Sequence, residues 1–206
     1  MPFKYPNRAH VRKHGPAGYA DYTNYKHWLR DEFHFRCVYC LERERWYPSG
    51  HAAFGVEHAL PRSIPDNAAR ICDCEILLYA CSIRNSAKQD RLVLNPCQVS
   101  FIKHLGIGDD GLIVGHTTEG WQLVDLLGLN KPKRQAIRRR VLTILRLYRD
   151  HPDKPDVQEL YHYYFGHPDD LPNLDALRPK SNSRPNGLID SFFRQRAEGR
   201  LPKDYF

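Results

Sequence analysis

Residues 54–61 read Phe-Gly-Val-Glu-His-Ala-Leu-Pro, and Glu57-His58 at their centre is the pair best suited to chemistry. An acid beside a histidine, ending a short apolar run before a proline, could be a catalytic pair or a satisfied polar histidine at a strand end. Its setting favours chemistry. Upstream stands Cys37-Val-Tyr-Cys40; downstream come Cys81-Ser-Ile-Arg-Asn85 and then Lys88. Two thiolates separated by two residues can reach one tetrahedral zinc from a tight knuckle, and Cys81 adds a third. A redox dithiol is the competing reading of Cys37-x-x-Cys40. Such a motif should open a helix in a βαβ setting, whereas this one follows a helical pattern and leads into Glu42-Arg43-Glu44-Arg45. The order of cysteine pair, acid–histidine, then cysteine with asparagine predicts a compact metal-dependent nuclease site.

Composition sets the frame. The chain has 206 residues, 41% hydrophobic and 12% aromatic, enough to bury a core and to set disorder aside as the default. No run approaches the roughly 18 apolar residues of a membrane span. The opening Met-Pro-Phe-Lys-Tyr-Pro-Asn-Arg lacks the apolar region of a secretory signal, so a cytoplasmic location is expected. In that compartment six cysteines point to metal or free thiols more than to disulfides. A net charge of +7 favours a polyanionic partner, nucleic acid first, although a merely basic protein has the same balance.

Several elements must hold these residues. Residues 1–20 read as a basic arm with Lys4, Arg8, Arg12 and Lys13, either lying on a phosphate backbone or solvated. Residues 21–35 read as a helix, with Tyr25, Trp28, Leu29 and Phe33 on its buried face. Ala53-Phe-Gly-Val reads as a short strand that delivers Glu57 and His58. Residues 64–70 read as a loop. An apolar run from Glu75 enters Cys81, and a helix carrying Asn85 and Lys88 follows, ending before Pro96. Asp110-Gly111 supplies a hairpin turn within 106–116, and Thr118 is the candidate cap of a short helix. Pro132 opens the strongest helix, with Ile137, Val141, Ile144, Leu145 and Tyr148 on one face. Lys131, Lys133, Arg134, Arg138, Arg139 and Arg140 crowd its start, where the helix dipole favours acids. A phosphate backbone would offset that, and a solvated face is the alternative. From His151 the prolines multiply, and only short helices near 156–165 and 187–198 are expected.

The three blocks Cys37-x2-Cys40, Val56-Glu-His-Ala-Leu-Pro-Arg-Ser63 and Leu77-Leu-Tyr-Ala-Cys-Ser-Ile-Arg-Asn-Ser-Ala-Lys88 resemble the zinc-stapled HNH endonucleases. The resemblance covers roughly residues 36–90. Gly111-Leu-Ile-Val-Gly115 and Leu126-Leu-Gly-Leu-Asn-Lys-Pro132 are similar to the tail of free-standing bacterial members. It implies an α+β fold with a ββα-metal core, flanking helices and an irregular C-terminal extension. It further implies His58 as general base, with Glu57 and Asn85 as ligands of a catalytic Mg2+ or Mn2+. Arg62 and Lys88 would touch phosphate, and Lys133, Arg134, Arg138 and Arg139 would hold DNA. Free-standing HNH proteins occur in defence, restriction and mobile-element systems, often beside an ATPase or a reverse transcriptase, and such a partner is the expectation here. A catalytically weak or inactive binding module on the same fold is the alternative.

Two positions depart from the family pattern. Arg84 stands where a fourth cysteine belongs, so a structural zinc on Cys37, Cys40 and Cys81 needs its fourth ligand from Cys72, Cys74, Cys97 or a histidine such as His51. Ile76 stands where the bracing asparagine belongs. The expected division is an arm over 1–20, a nuclease core with its preceding helix over 21–105, a hairpin and basic helix over 106–150, and an extension over 151–206.

Overall fold

The computed structural model describes residues 3–179 and 187–202, so residues 1–2 of the expected arm and 180–186 and 203–206 of the expected extension lie outside the described residues. The fold is α+β, with two small antiparallel sheets and several helices. The chain forms two compact units. One takes in residues up to His10 and Pro96–His167; the other takes in Val11–Asn95 and Pro168–Pro202.

The second unit carries the candidate site. A 3-10 turn, Tyr22–Tyr25, runs into α1, Lys26–Glu32, which is shorter than the stretch 21–35 suggests. Left-handed backbone at His34 and Phe35 (φ 56° and 54°) ends it. The expected face holds: Tyr25, Trp28 and Leu29 are buried, and Trp28 packs against Leu174 and Leu188 of the returning C-terminal segment. Burying Arg30, Asp31 and Glu32 on the same helix would be costly without partners, and each has them. Arg30 makes a two-pronged bond to Glu44, 2.9 Å on each arm, and a third to Asp170 at 3.0 Å. Asp31 accepts from His14 Nε2 at 2.7 Å and from the Phe192 amide at 2.9 Å. Glu32 accepts from the amides of Lys13 and His14.

Those contacts correct the picture of a free basic arm. Arg12 donates to the carbonyl oxygens of Glu75 and Leu77 and lies over the Phe33 ring, and His14 is buried. Lys4 and Arg8 remain exposed.

Strand β1, Phe54–His58, pairs antiparallel with β2, Leu77–Cys81, in a register that sets Phe54 opposite Cys81 and His58 opposite Leu77. Between them the stretch expected as a loop winds into a 3-10 helix, Pro65–Arg70. All five residues of β2 are buried, which accounts for its unbroken apolar run; α1 packs against it, and so does α2, Ser82–Lys88, which follows it at once. The helix stops at Lys88, well short of Pro96, because Gln89 turns left-handed at φ 53°.

In the other unit β3, Leu105–Ile107, and β4, Ile113–Gly115, form the expected hairpin around Asp110-Gly111. Helix α3, Thr118–Leu126, is capped by Thr117, whose hydroxyl accepts from the Gly120 amide, one residue before the expected Thr118. Helix α4, Pro132–Asp150, starts at its proline as expected and buries Val141, Leu142 and Ile144. It packs on α5, Pro155–Phe165, with the rings of Tyr148 and Tyr161 stacked 3.8 Å apart. Within the returning segment α6, Phe192–Ala197, is capped by Ser191.

Candidate functional site

Alternation along β1 sends Gly55 and Glu57 to one face and His58 to the other. Helix α2 lies over the Gly55–Glu57 face. A Cβ added at Gly55 would stand 3.7 Å from Asn85 Nδ2, an approach that a larger side chain would obstruct. Asn85 Nδ2 donates to the Val56 carbonyl at 3.1 Å, which fixes the amide so that Oδ1 is its remaining acceptor. Three residues on, and so on the same side of the helix, Lys88 reaches Glu57. Its Nζ lies 2.8 Å from Glu57 Oε1 and donates to the His58 carbonyl at 2.9 Å.

Glu57 and Lys88 are 2% and 1% exposed, and a buried charge of either sign would be untenable without the other. Burial pushes the Glu57 carboxyl pKa up, and the Lys88 bond opposes that shift. Lys88 is thus not a phosphate contact, as the sequence suggested. Its ammonium is spent inside the protein, on the two backbone-adjacent residues expected to act.

His58 sits at the end of β1, and its Nε2 lies 3.0 Å from the Ile71 carbonyl oxygen. A carbonyl can only accept, so the proton is on Nε2 and Nδ1 carries the lone pair. Burial lowers the imidazole pKa from its ordinary value against the opposing Ile71 bond, with Arg62 and Lys88 adding to the lowering. The Tyr22 ring packs against it in a T-shaped contact with centroids 4.7 Å apart, and the Arg62 guanidinium lies over Tyr22 at 5.8 Å while the side chain stays exposed. Ile76, at the bracing-asparagine position, is buried and offers only its backbone, accepting from the Ala59 amide at 2.8 Å. The bracing of His58 falls instead to Ile71. Neither Ile71 nor Tyr22 carries a sequence signal for this role, because both reach His58 through the winding of the chain and not through spacing.

On the Cys81 side of the sheet, Cys37, Cys40 and Cys81 converge, with their sulfurs all within 4.8 Å of one another and Cys40 Sγ 3.9 Å from Cys81 Sγ. The knuckle forms because Leu41, left-handed at φ 58°, returns its amide to the Cys37 carbonyl, and the Val38 amide bonds the Tyr79 carbonyl of β2. All three are fully buried. Hydrogen bonds from Cys37 and Cys40 pull the Cys81 thiol pKa down to about 3, while burial pushes Cys40 up to about 11 and raises Cys37 as well. Three buried sulfurs gathered this closely form a donor set suited to a thiophilic ion such as zinc.

None of the candidate fourth ligands joins it. Cys72 donates to the Ala20 carbonyl, His51 faces Asp170, and Cys97 belongs to the other unit. Cys74, buried, has its pKa pushed up to about 12 by desolvation and lies outside the cluster.

Lys133, Arg134, Arg138 and Arg139, the remaining expected DNA contacts, all lie on α4 in the other unit. Lys133 and Arg139 are exposed. Arg138 is the exception and a correction. It is fully buried, and its guanidinium donates to the carbonyls of Gly111 at 2.6 Å and Leu129 at 2.8 Å. It ties the hairpin to α4, and burial closes its guanidinium off from the surface.

No protein-family model matches the chain, and no curated protein matches it.

Proposed function

We propose that the chain is a metal-dependent endonuclease of the HNH type that hydrolyses phosphodiester bonds in DNA, with His58 as its general base. The observation that carries this reading is the bond from His58 Nε2 to the Ile71 carbonyl. It dictates the tautomer in which Nδ1 can take a proton from water, and the lowered pKa keeps that nitrogen free at neutral pH.

In this reading Glu57 and Asn85 are the residues that would hold a hard divalent cation. Glu57 offers a carboxylate and Asn85 an amide oxygen already turned by its bond to Val56. Bound there, Mg2+ or Mn2+ would supply positive charge to the scissile phosphate and its leaving oxygen. Lys88 opposes the rise that burial imposes on the Glu57 pKa and fixes the carboxyl in place. Because it also neutralises that carboxylate, the two protein donors bring no net negative charge to the cation. Substrate phosphates have to complete the site, so metal affinity should rise when DNA is present. Arg62, exposed beside Tyr22, is the phosphate contact nearest His58.

A binding module without catalysis is the second reading. It is favoured by the burial of His58, only 6% exposed and packed against the Tyr22 ring. Incubating the protein and its His58→Ala variant with plasmid and Mg2+ or Mn2+ separates the two. Cleavage by wild type alone, with DNA binding equal in both, supports the enzyme. Equal cleavage by both proteins removes His58 from the mechanism, and binding without cleavage in either leaves the binding module.

A further inference from the structure

Arg84 is 0% exposed and stands on the first turn of α2, three residues beyond Cys81. A guanidinium does not lose its proton in a protein, so a fully buried one needs acceptors or negative groups around it. The negative groups acting on it are those of the cysteine cluster and one neighbour: Cys40, which accepts a hydrogen bond from it, Cys81, and Glu42. Glu42 is itself fully buried and accepts from the Tyr47 hydroxyl. Cys40 and Cys81 are thus shared between two tasks: they face each other and Cys37 as metal donors, and together with Glu42 they surround the Arg84 guanidinium.

A zinc ion with four thiolates carries a net charge of 2−; with three it carries 1−. One buried guanidinium cancels the second and not the first. We propose that Cys37, Cys40 and Cys81 would hold one zinc ion through three thiolates, with Arg84, at the sequence position of a fourth cysteine, serving as a counter-charge hydrogen-bonded to Cys40 and not as a ligand. The replacement of cysteine by arginine at position 84 then keeps the knuckle, β2 and α2 joined through the ion while offsetting part of the buried negative charge, to which Glu42 also contributes. Hydrogen bonding from the guanidinium also quiets the Cys40 sulfur as a nucleophile, which suits a structural site. The inference rests on the metal reading of the three cysteines and is independent of the nuclease reading.

The test uses the full chain, reduced and freed of metal, titrated with Co2+ and then Zn2+. One equivalent of Co2+ should bind, with sulfur-to-metal charge transfer matching three Co–S bonds, and Zn2+ should displace it. Arg84→Met should weaken zinc about tenfold or more in chelator competition, the usual effect of removing a partner that supports a ligand. Arg84→Lys should recover part of that loss, and Arg84→Cys should convert the cobalt spectrum to a four-sulfur one. Failure of wild type to take up metal, a four-sulfur spectrum in wild type, or undiminished zinc affinity in Arg84→Met would overturn the proposal. If Arg84→Met does not fold, the wild-type spectrum and the Arg84→Lys affinity still decide it. DNA cleavage enters none of these readouts, so loss of the nuclease assignment leaves the result standing.

Discussion

At the scale of single residues, Lys88 shows how a charge can serve a site without touching substrate. It holds Glu57 and the His58 carbonyl from one helix position, so its removal leaves a carboxylate buried with no counter-ion. Lys88→Met should destabilise the protein by about 3–5 kcal/mol, and the double variant Lys88→Met/Glu57→Leu should recover much of that loss. Urea unfolding of the three proteins measures both effects. A double variant no more stable than the single one would mean that Lys88 acts through packing of its stem and not through charge. His58 contrasts with it. Its partners are a backbone carbonyl and a ring edge, so His58→Ala is expected to leave DNA binding intact while abolishing cleavage in the plasmid assay.

At the scale of elements, the hairpin and α4 depend on one another through Arg138 and Gly111. Gly111 has φ 78°, and a Cβ there would lie 3.1 Å from both the Arg139 amide nitrogen and the Gln135 carbonyl oxygen. Gly111→Ala should therefore cost about 1–3 kcal/mol, through strained backbone and a crowded helix contact together. A thermal midpoint equal to wild type would refute it. Arg138→Ala should cost about 2 kcal/mol or more by stranding carbonyls that it satisfies. Its effect on DNA affinity, compared among folded proteins, should be nil. Lys133→Ala and Arg139→Ala should behave in the opposite way. Each should leave stability unchanged and lower the salt dependence of DNA binding by about one unit of slope. Binding titrations at several salt concentrations distinguish these outcomes, and unaltered slopes would remove α4 from the DNA surface.

At the scale of the whole molecule, acid should act on the packing around α1. Desolvation lowers the His27 pKa below its ordinary 6.5, and the nearby Arg30, His51 and Lys26 lower it further. Between the folded and unfolded pKa values the unfolded chain binds the proton more readily, so stability is lost as pH falls below about 6.5. His27→Gln removes that term. Its melting temperature should fall less than that of wild type between pH 7.5 and pH 5.5, and identical falls would show that His27 carries none of the acid sensitivity.

The sequence by itself determined what is local. Cysteine spacing sets the knuckle, the 3.6-residue period sets the buried faces of α1 and α4, Pro132 sets where α4 begins, and Asp110-Gly111 sets the hairpin. Each depends on residues a few positions apart, where backbone geometry is nearly fixed by type. Only the tertiary structure decided how the cations are used. Lys88, Arg84, Arg138 and Arg12 look in sequence like the exposed Lys133 and Arg139, yet all four reach inward to partners, and none of them is exposed. Long side chains can satisfy a buried carboxylate, thiolate or carbonyl from a distance, and which of them does so depends on strands and loops brought together across tens of residues. For the same reason Ile71, and not a residue at position 76, came to orient His58.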